Sequence, residues 1–472
     1  MNEEKDRFYS GNEFPDLVKR YEDMLTHSTG YYFDVDEFED IIDHYLGMGK
    51  SDRAYKAVQH ALKQHPASTA IQLKKAVILN EKAQPLESLR MLRIIERIEL
   101  NNPEVCYTKG VALNLLGQHK DAVREFNRAI EYTEDGKADL LFNTAMVFEH
   151  KNKFRIALGY LKQAYLLEPD NLSCIYEIAY CYERADQLEN ALGYYNKFLD
   201  IDPFSENVWY NLGVVYNRLE NYDKALEAYD YAISLDEEYA SAYFNKANTL
   251  ANRGDHKEAI GVYRELLYLE EENEQVICYI GECYEKMENW ESALEYYRKA
   301  LAINPDYADA WLGSGMVMFA KGSFIESISH VEKAIEFFPE NPEYWYSMGN
   351  IKLKMGRTDE AISAYRNAVG FDPEDYDSWV NLSETYIVLN DIESAINILI
   401  EASGPNPGSA ILNYRLAAYH LMKSDHEKAG QYLRIALSLD FELHREFLDY
   451  YPAAKKHRSV RNIISNYHKK GY

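Results

Sequence analysis

Small residues recur in this chain at a nearly fixed interval, and few folds can absorb such a pattern. Starting at Ile42, the equivalent positions are Ala76, Gly110, Ala145, Ala179, Gly213, Ala247, Gly281, Gly315, Gly349, Ser383 and Ala417, spaced 34 residues apart except for one step of 35 after Gly110. Twelve residues beyond each of them stand Ala54, Ser88, Ala122, Ala157, Ala191, Ala225, Ala259, Ala293, Ser327, Ala361, Ala395 and Ala429, always Ala or Ser. A helix crossing with no room for a larger side chain gives that restriction. Within the unit Glu206 to Tyr239, Trp209, Leu212, Gly213 and Tyr216 fall on one face of a helix, and Ala225, Tyr229 and Ala232 on one face of a second. One such hairpin cannot bury both of its faces, so the pattern calls for a stack of them.

The remaining signals agree. Pro66, Pro169, Pro203, Pro305, Pro339, Pro373 and Pro407 stand where hairpins end. Trp209, Trp311, Trp345 and Trp379 share one place in the first helix. These features resemble the tetratricopeptide repeat over nearly the whole chain, and more loosely the bacterial cytoplasmic proteins built almost entirely of such repeats. The resemblance implies an all-α, right-handed α-solenoid superhelix of about twelve antiparallel helix hairpins. Capping helices are expected at both ends: an N-terminal cap and acidic entry over 1–34, repeats over 35–440, and a basic C-terminal cap over 441–472. The match is weakest early, at Gln72, Lys75 and Ser88 and around the extra residue after Gly110.

The ends carry their own signals. Leu17, Tyr21 and Leu25 mark an amphipathic helix after Phe14-Pro15, and Asp34 with Glu37 has the spacing of a capping box. After the repeats, 441–451 and 458–467 read as closing helices either side of Pro452, with Arg445, Lys455, Lys456, Arg458, Arg461, Lys469 and Lys470 as solvated cations.

Composition narrows function by exclusion. A net charge of −26 argues against nucleic acid, which needs clustered cations. No apolar run approaches the roughly 20 residues of a membrane span, and no signal segment opens the chain, so a cytoplasmic protein is expected. The five cysteines lie inside helical patterns and read as reduced packing residues. The 41 tyrosines suit half-buried sites, ring packed and hydroxyl at the edge. No HExxH, P-loop, GxGxxG or GxSxG occurs, so neither enzyme, cofactor nor metal is expected.

In the family, the first helix of each repeat lines the inner, concave surface that holds ligands. Carried onto this sequence, the matching positions include Asn143, Asn211, Asn245 and Asn381, beside Tyr107, Phe142, Tyr176, Tyr210, Phe244 and Tyr346. Amides can pair with an extended peptide backbone and rigid aromatics can anchor it. Glu177, Glu282 and Glu384 are acidic candidates on the same surface, where cations are few. The carboxylate clamp of the chaperone-binding members has no counterpart here. The expected function is thus a non-catalytic scaffold gripping a protein segment that is basic, or apolar with basic flanks, in an acidic, tyrosine-rich groove. A regulatory sensor whose superhelix responds to a peptide or small ligand is the alternative. Homo-oligomers, with acidic start meeting basic end, are a further possibility.

Overall fold

The computed structural model describes residues 13–27 and 30–468, and among them every regular element is helical. A leading helix, α1 (Glu13–His27), precedes the repeats. First and second helices then alternate: α2 (Val35–Gly47) and α3 (Ser51–Gln64), α4 (Thr69–Glu81) and α5 (Pro85–Ile95), α6 (Pro103–Leu115) and α7 (His119–Tyr132), α8 (Lys137–Glu149) and α9 (Phe154–Leu167). The order continues with α10 (Leu172–Arg184) and α11 (Leu188–Ile201), α12 (Glu206–Arg218) and α13 (Tyr222–Leu235), α14 (Ala240–Arg253) and α15 (His256–Leu269), α16 (Glu274–Lys286) and α17 (Trp290–Ile303). It ends with α18 (Ala308–Ala320) and α19 (Phe324–Phe337), α20 (Pro342–Lys354) and α21 (Thr358–Phe371), α22 (Tyr376–Val388) and α23 (Ile392–Ala402), α24 (Ala410–Met422) and α25 (His426–Leu439). A short α26 (His444–Tyr450), a 3-10 turn (Pro452–Lys456) and α27 (Arg458–His468) close the chain.

The chain forms two compact units, one ending at Asn221 and one beginning at Tyr222. From α2 to α12 in the first unit, and from α13 to α25 in the second, each helix packs on its neighbours in sequence.

The small positions hold the hairpins close because a large ring from the second helix lies against them. A Cβ added at Gly110 would sit 2.8 Å from the Phe126 ring, one at Gly281 2.8 Å from Tyr297, and one at Gly349 2.5 Å from Tyr365. Tyr297 also reaches the next repeat, where a Cβ on Gly313 would come within 2.3 Å of it. The Ala-or-Ser position has an equally direct cause. Where Ser replaces Ala, its hydroxyl donates to the carbonyl of the small residue across the crossing, Ser88 to Ala76 at 2.9 Å and Ser327 to Gly315 at 2.7 Å. Ser is accepted because its one extra polar atom is satisfied.

Seven residues past each small position the chain turns between helices with a positive φ. Gly49, Ala83, Gly117, Asn152, Asp186, Glu220, Gly254, Glu288, Gly322, Gly356, Asn390 and Ser424 all adopt it. Only five of these twelve are glycine, which is why the turn is not evident from sequence. The 35-residue step is absorbed before Ala145, where α8 starts after Gly136 at φ 71 and runs eight residues to its small position rather than the seven of α6 and α10.

The repeated tryptophan is a hinge pin for the chain. Each indole N–H donates to the carbonyl of the proline six residues earlier: Trp209 to Pro203 (2.9 Å), Trp311 to Pro305 (2.8 Å), Trp345 to Pro339 (2.7 Å) and Trp379 to Pro373 (3.0 Å). Gln72, read from sequence as a departure, makes the same bond to Pro66 at 3.2 Å.

At the N-terminus the capping box forms in full, with Glu37 N–H donating to Asp34 and Asp34 N–H to Glu37. Tyr21 and Leu17 of α1 are buried against α2 and α3, whereas Leu25 lies exposed rather than on the packed face. At the C-terminus α26 begins later than the sequence pattern indicates, because Asp440 accepts from the N–H groups of Glu442 and Leu443 and holds a turn there. Phe447, Ala454 and Val460 are buried against the last repeat. Lys469 and Lys470 lie outside the described residues.

Many tyrosines are half-buried as expected, Tyr107, Tyr176, Tyr210, Tyr279 and Tyr346 among them, but others are not. Tyr21, Tyr45, Tyr195, Tyr229, Tyr263, Tyr297, Tyr365 and Tyr419 are fully buried rather than half-buried. Burial is affordable because the hydroxyls find partners: Tyr195 donates to Glu183 at 3.0 Å, Tyr297 to Glu285 at 2.6 Å and Tyr365 to Asn350 at 2.7 Å. All five cysteines are buried and unbridged. Among the described residues no helix is long and apolar enough to cross a membrane, and no cluster of His, Cys, Asp and Glu could hold a metal.

Candidate functional site

Because the rings of the second helices fill the crossings, the opposite side of each first helix is left to polar and aromatic residues. In the first unit Tyr107 packs its ring on Phe126 at 5.4 Å, and burial pushes its hydroxyl up to about 12. Phe142 is half-buried and Asn143 exposed, and Tyr210 is half-buried on α12. Asn211 donates its amide to the Tyr176 hydroxyl at 2.9 Å. In the second unit Asn381 donates to Tyr346 at 2.9 Å, and Tyr346 packs on Tyr365 at 6.0 Å. Phe244 lies against Tyr279 at 5.7 Å, and Asn245 is half-buried beside it in sequence. Two of the four ladder asparagines therefore tie their helix to the tyrosine of the preceding repeat. Their amides are not wholly available to a bound backbone.

The acidic candidates behave differently from one another. Glu384 is ion-paired, with Arg415 Nη1 at 2.9 Å, and Arg415 stacks over Tyr450 of the closing segment at 3.4 Å from the ring centroid. Its charge is already balanced. Glu177 has no such partner. It is half-buried, and burial together with the adjacent Glu149 carboxyl, to which it is hydrogen-bonded, raises its pKa to about 7. Cys181 completes the cluster, its Sγ 3.7 Å from Glu149, and burial keeps that thiol protonated. One helix, α8, supplies Glu149 and the next first helix, α10, supplies the other two.

The second unit repeats the arrangement with other residues. Glu282 on α16 is raised to about 7 by burial and by the charges of Asp309, Glu285 and Glu343, against which only Lys286 acts. Asp309 accepts from Tyr344 at 2.6 Å, and Glu285 from Tyr297. Beside Glu282, a cleft of about 340 Å³ opens between α14 and α16, with Asn248, Asn252, His256, Tyr279 and Lys286 on its walls. None of these five is among the groove candidates read from the sequence. The available signal for Asn248 and Asn252 is their polarity just past the small position Ala247, whereas His256 opens the second helix of the repeat and carries no such signal.

Within each unit, successive helix hairpins that present half-buried carboxyls and aromatics on their first helices define a helical-repeat protein. Family comparison names the repeat: models described as tetratricopeptide repeat match residues 103–135, 142–206 and 206–239, and one described as cilia and flagella-associated protein 70 C-terminal domain matches 234–446. Over these matches the chain carries tetratricopeptide repeats. No curated protein matches it. Among solved structures, yeast Tom70 is 17% identical over 89% of this chain and 95% of that one, with a TM-score of 0.48. MamA is 24% identical over 35% and 96%, TM-score 0.33. YrrB, described as a TPR protein with an unusual peptide-binding site, is 22% identical over 39% and 95%, TM-score 0.30.

Proposed function

We propose that this protein is a non-catalytic scaffold whose first-helix surfaces hold protein segments that are basic, or apolar with basic flanks. One observation carries the reading: Glu149 with Glu177, and Glu282 with Asp309, are carboxyl groups brought together and partly buried with no neutralising ion pair. Like charges held close in a poorly hydrated place raise the energy of the empty surface. A lysine or arginine side chain arriving there recovers that energy, which an exposed and solvated carboxylate would not offer. Tyr107, Phe142, Tyr210 and Phe244 supply the aromatic contacts for flanking apolar groups.

The test is a peptide array carrying basic-aromatic, neutral-aromatic and acidic-aromatic sequences, probed with the purified protein. Selective retention of the basic set, lost in the double variant Glu149→Gln/Glu177→Gln together with Glu282→Gln, is the expected result. Equal binding of neutral and basic sets by parent and variant would remove the carboxyls from the site.

A further inference from the structure

The second helices also carry a cleft, on the other side of the first helices from the carboxyl surface. It lies between α17 and α19 with α18 as its floor, and has a volume of about 420 Å³. Ser314 explains why it is there. The residue directly before the small position is Ile280, Met348 and Leu382 in nearby repeats, each buried as part of the core. In this repeat it is Ser314, whose shorter side chain leaves unfilled the space that Ile280, Met348 and Leu382 occupy in theirs.

What remains is walled by chemistry of one kind. Trp311 and His330 face the space with ring centroids 5.4 Å apart, and Leu301 and Met318 complete an apolar lining. Both rings are held by backbone bonds, Trp311 to the Pro305 carbonyl and His330 Nδ1 to the Glu326 carbonyl at 2.8 Å. Arg298 stands exposed at the edge, with no carboxylate partner among the described residues, while the nearby Glu295 is occupied by Lys299 at 2.6 Å. In a chain of net charge −26, a free guanidinium at the mouth of an aromatic cleft selects for an anion.

We propose that this cleft binds a small planar apolar molecule carrying one anionic group, an aromatic carboxylate or sulfonate. The volume falls within the roughly 300–1,000 Å³ range of small-molecule sites. The planar part lies over Trp311 and Met318 of the floor with Leu301 beside it, and the anionic group pairs with Arg298. This site is independent of the peptide-binding surface and of any segment held there.

The experiment is a fluorescence titration with 8-anilinonaphthalene-1-sulfonate and, in parallel, its uncharged relative N-phenyl-1-naphthylamine. The native protein is expected to bind the sulfonate saturably at one site. Ser314→Leu restores the side chain type of the nearby repeats and should weaken both probes by about tenfold or more through lost space. Arg298→Gln is an exposed substitution that leaves the fold untouched, and should weaken the sulfonate about five- to tenfold while leaving the neutral probe unchanged. Unchanged sulfonate affinity in Ser314→Leu would overturn the proposal, as would an equal effect of Arg298→Gln on both probes.

Discussion

Ala83 adopts φ 55 at a turn where five other repeats place glycine. A left-handed conformation costs a residue with a Cβ roughly 1–2 kcal/mol, offset in part by the greater unfolded freedom of glycine. Ala83→Gly is therefore expected to stabilise the second repeat by about 0.5–1 kcal/mol, read as slower amide exchange across α4 and α5. The reverse logic applies at Gly313. Its neighbour there is the ring of Tyr297, itself fully buried and bonded to Glu285, so the ring has nowhere to retreat. Gly313→Ala should cost about 1–3 kcal/mol, seen as a lower denaturation midpoint by tryptophan fluorescence. At this scale the sequence is a good guide to volume and a poor one to backbone. The alternation of small residues reveals the crossing, but the turn conformation shared by twelve positions is hidden, because Glu220, Glu288 and Ala83 tolerate what Gly254 and Gly322 suit. Gln72 makes a similar point: it departs from the tryptophan pattern by residue type and retains the hydrogen bond for which tryptophan is used.

Helices fix their own ends in this chain, and the caps can be read one by one. Asn102, Asn171, Asn273, Asn341 and Ser409 each accept backbone N–H groups at the start of a first helix. The Asp34–Glu37 box is the one whose loss should spread furthest, because α2 carries the contacts of α1 through Tyr21, Phe33 and Phe38. Asp34→Ala is expected to cost about 1 kcal/mol and to raise exchange in α1 and α2 while leaving later repeats unaffected, as near-neighbour coupling in an array requires. Element boundaries were largely legible, since prolines, caps and the repeat spacing mark them. The late start of α26 was not, because a turn built by Asp440 competes with an apolar pattern that by itself favours helix from Phe441. For the candidate site the sequence supplies positions only. Asn211, Asn381 and Glu384 are expected on the surface the resemblance implies, and whether an amide or a carboxylate there is free depends on residues one repeat away in sequence, Tyr176, Tyr346 and Arg415.

For the molecule as a whole, the net charge of −26 sets a background of repulsion, and what distinguishes the carboxyl clusters is that burial prevents water from relieving it. The consequence has a definite sign. Glu177 holds its proton up to about pH 7 in the folded chain, against an ordinary value of 4.5, so the folded state binds more protons than the unfolded state between those limits. Stability contributed at this site is thus full below about pH 4.5 and falls as pH rises through 7, with no further loss above. Glu177→Gln removes the titration and, with the shift discounted for solvent screening of a partly exposed group, should leave the protein about 1–2 kcal/mol more stable than the parent at pH 8 and no different at pH 4, measured by chemical denaturation. Binding runs the opposite way. A basic segment needs the carboxylates ionised, so its affinity should rise from pH 5.5 to 8, and calorimetry in buffers of different ionisation enthalpy should show proton release on binding. The two slopes are coupled through one group: a cation that restores the stability lost at high pH must also be the ligand that displaces the proton. If a basic-aromatic peptide binds with no proton release and with the same pH dependence in Glu149→Gln/Glu177→Gln, it is held by the aromatic residues without the carboxyl pair, and the charge selectivity proposed for this surface falls with it.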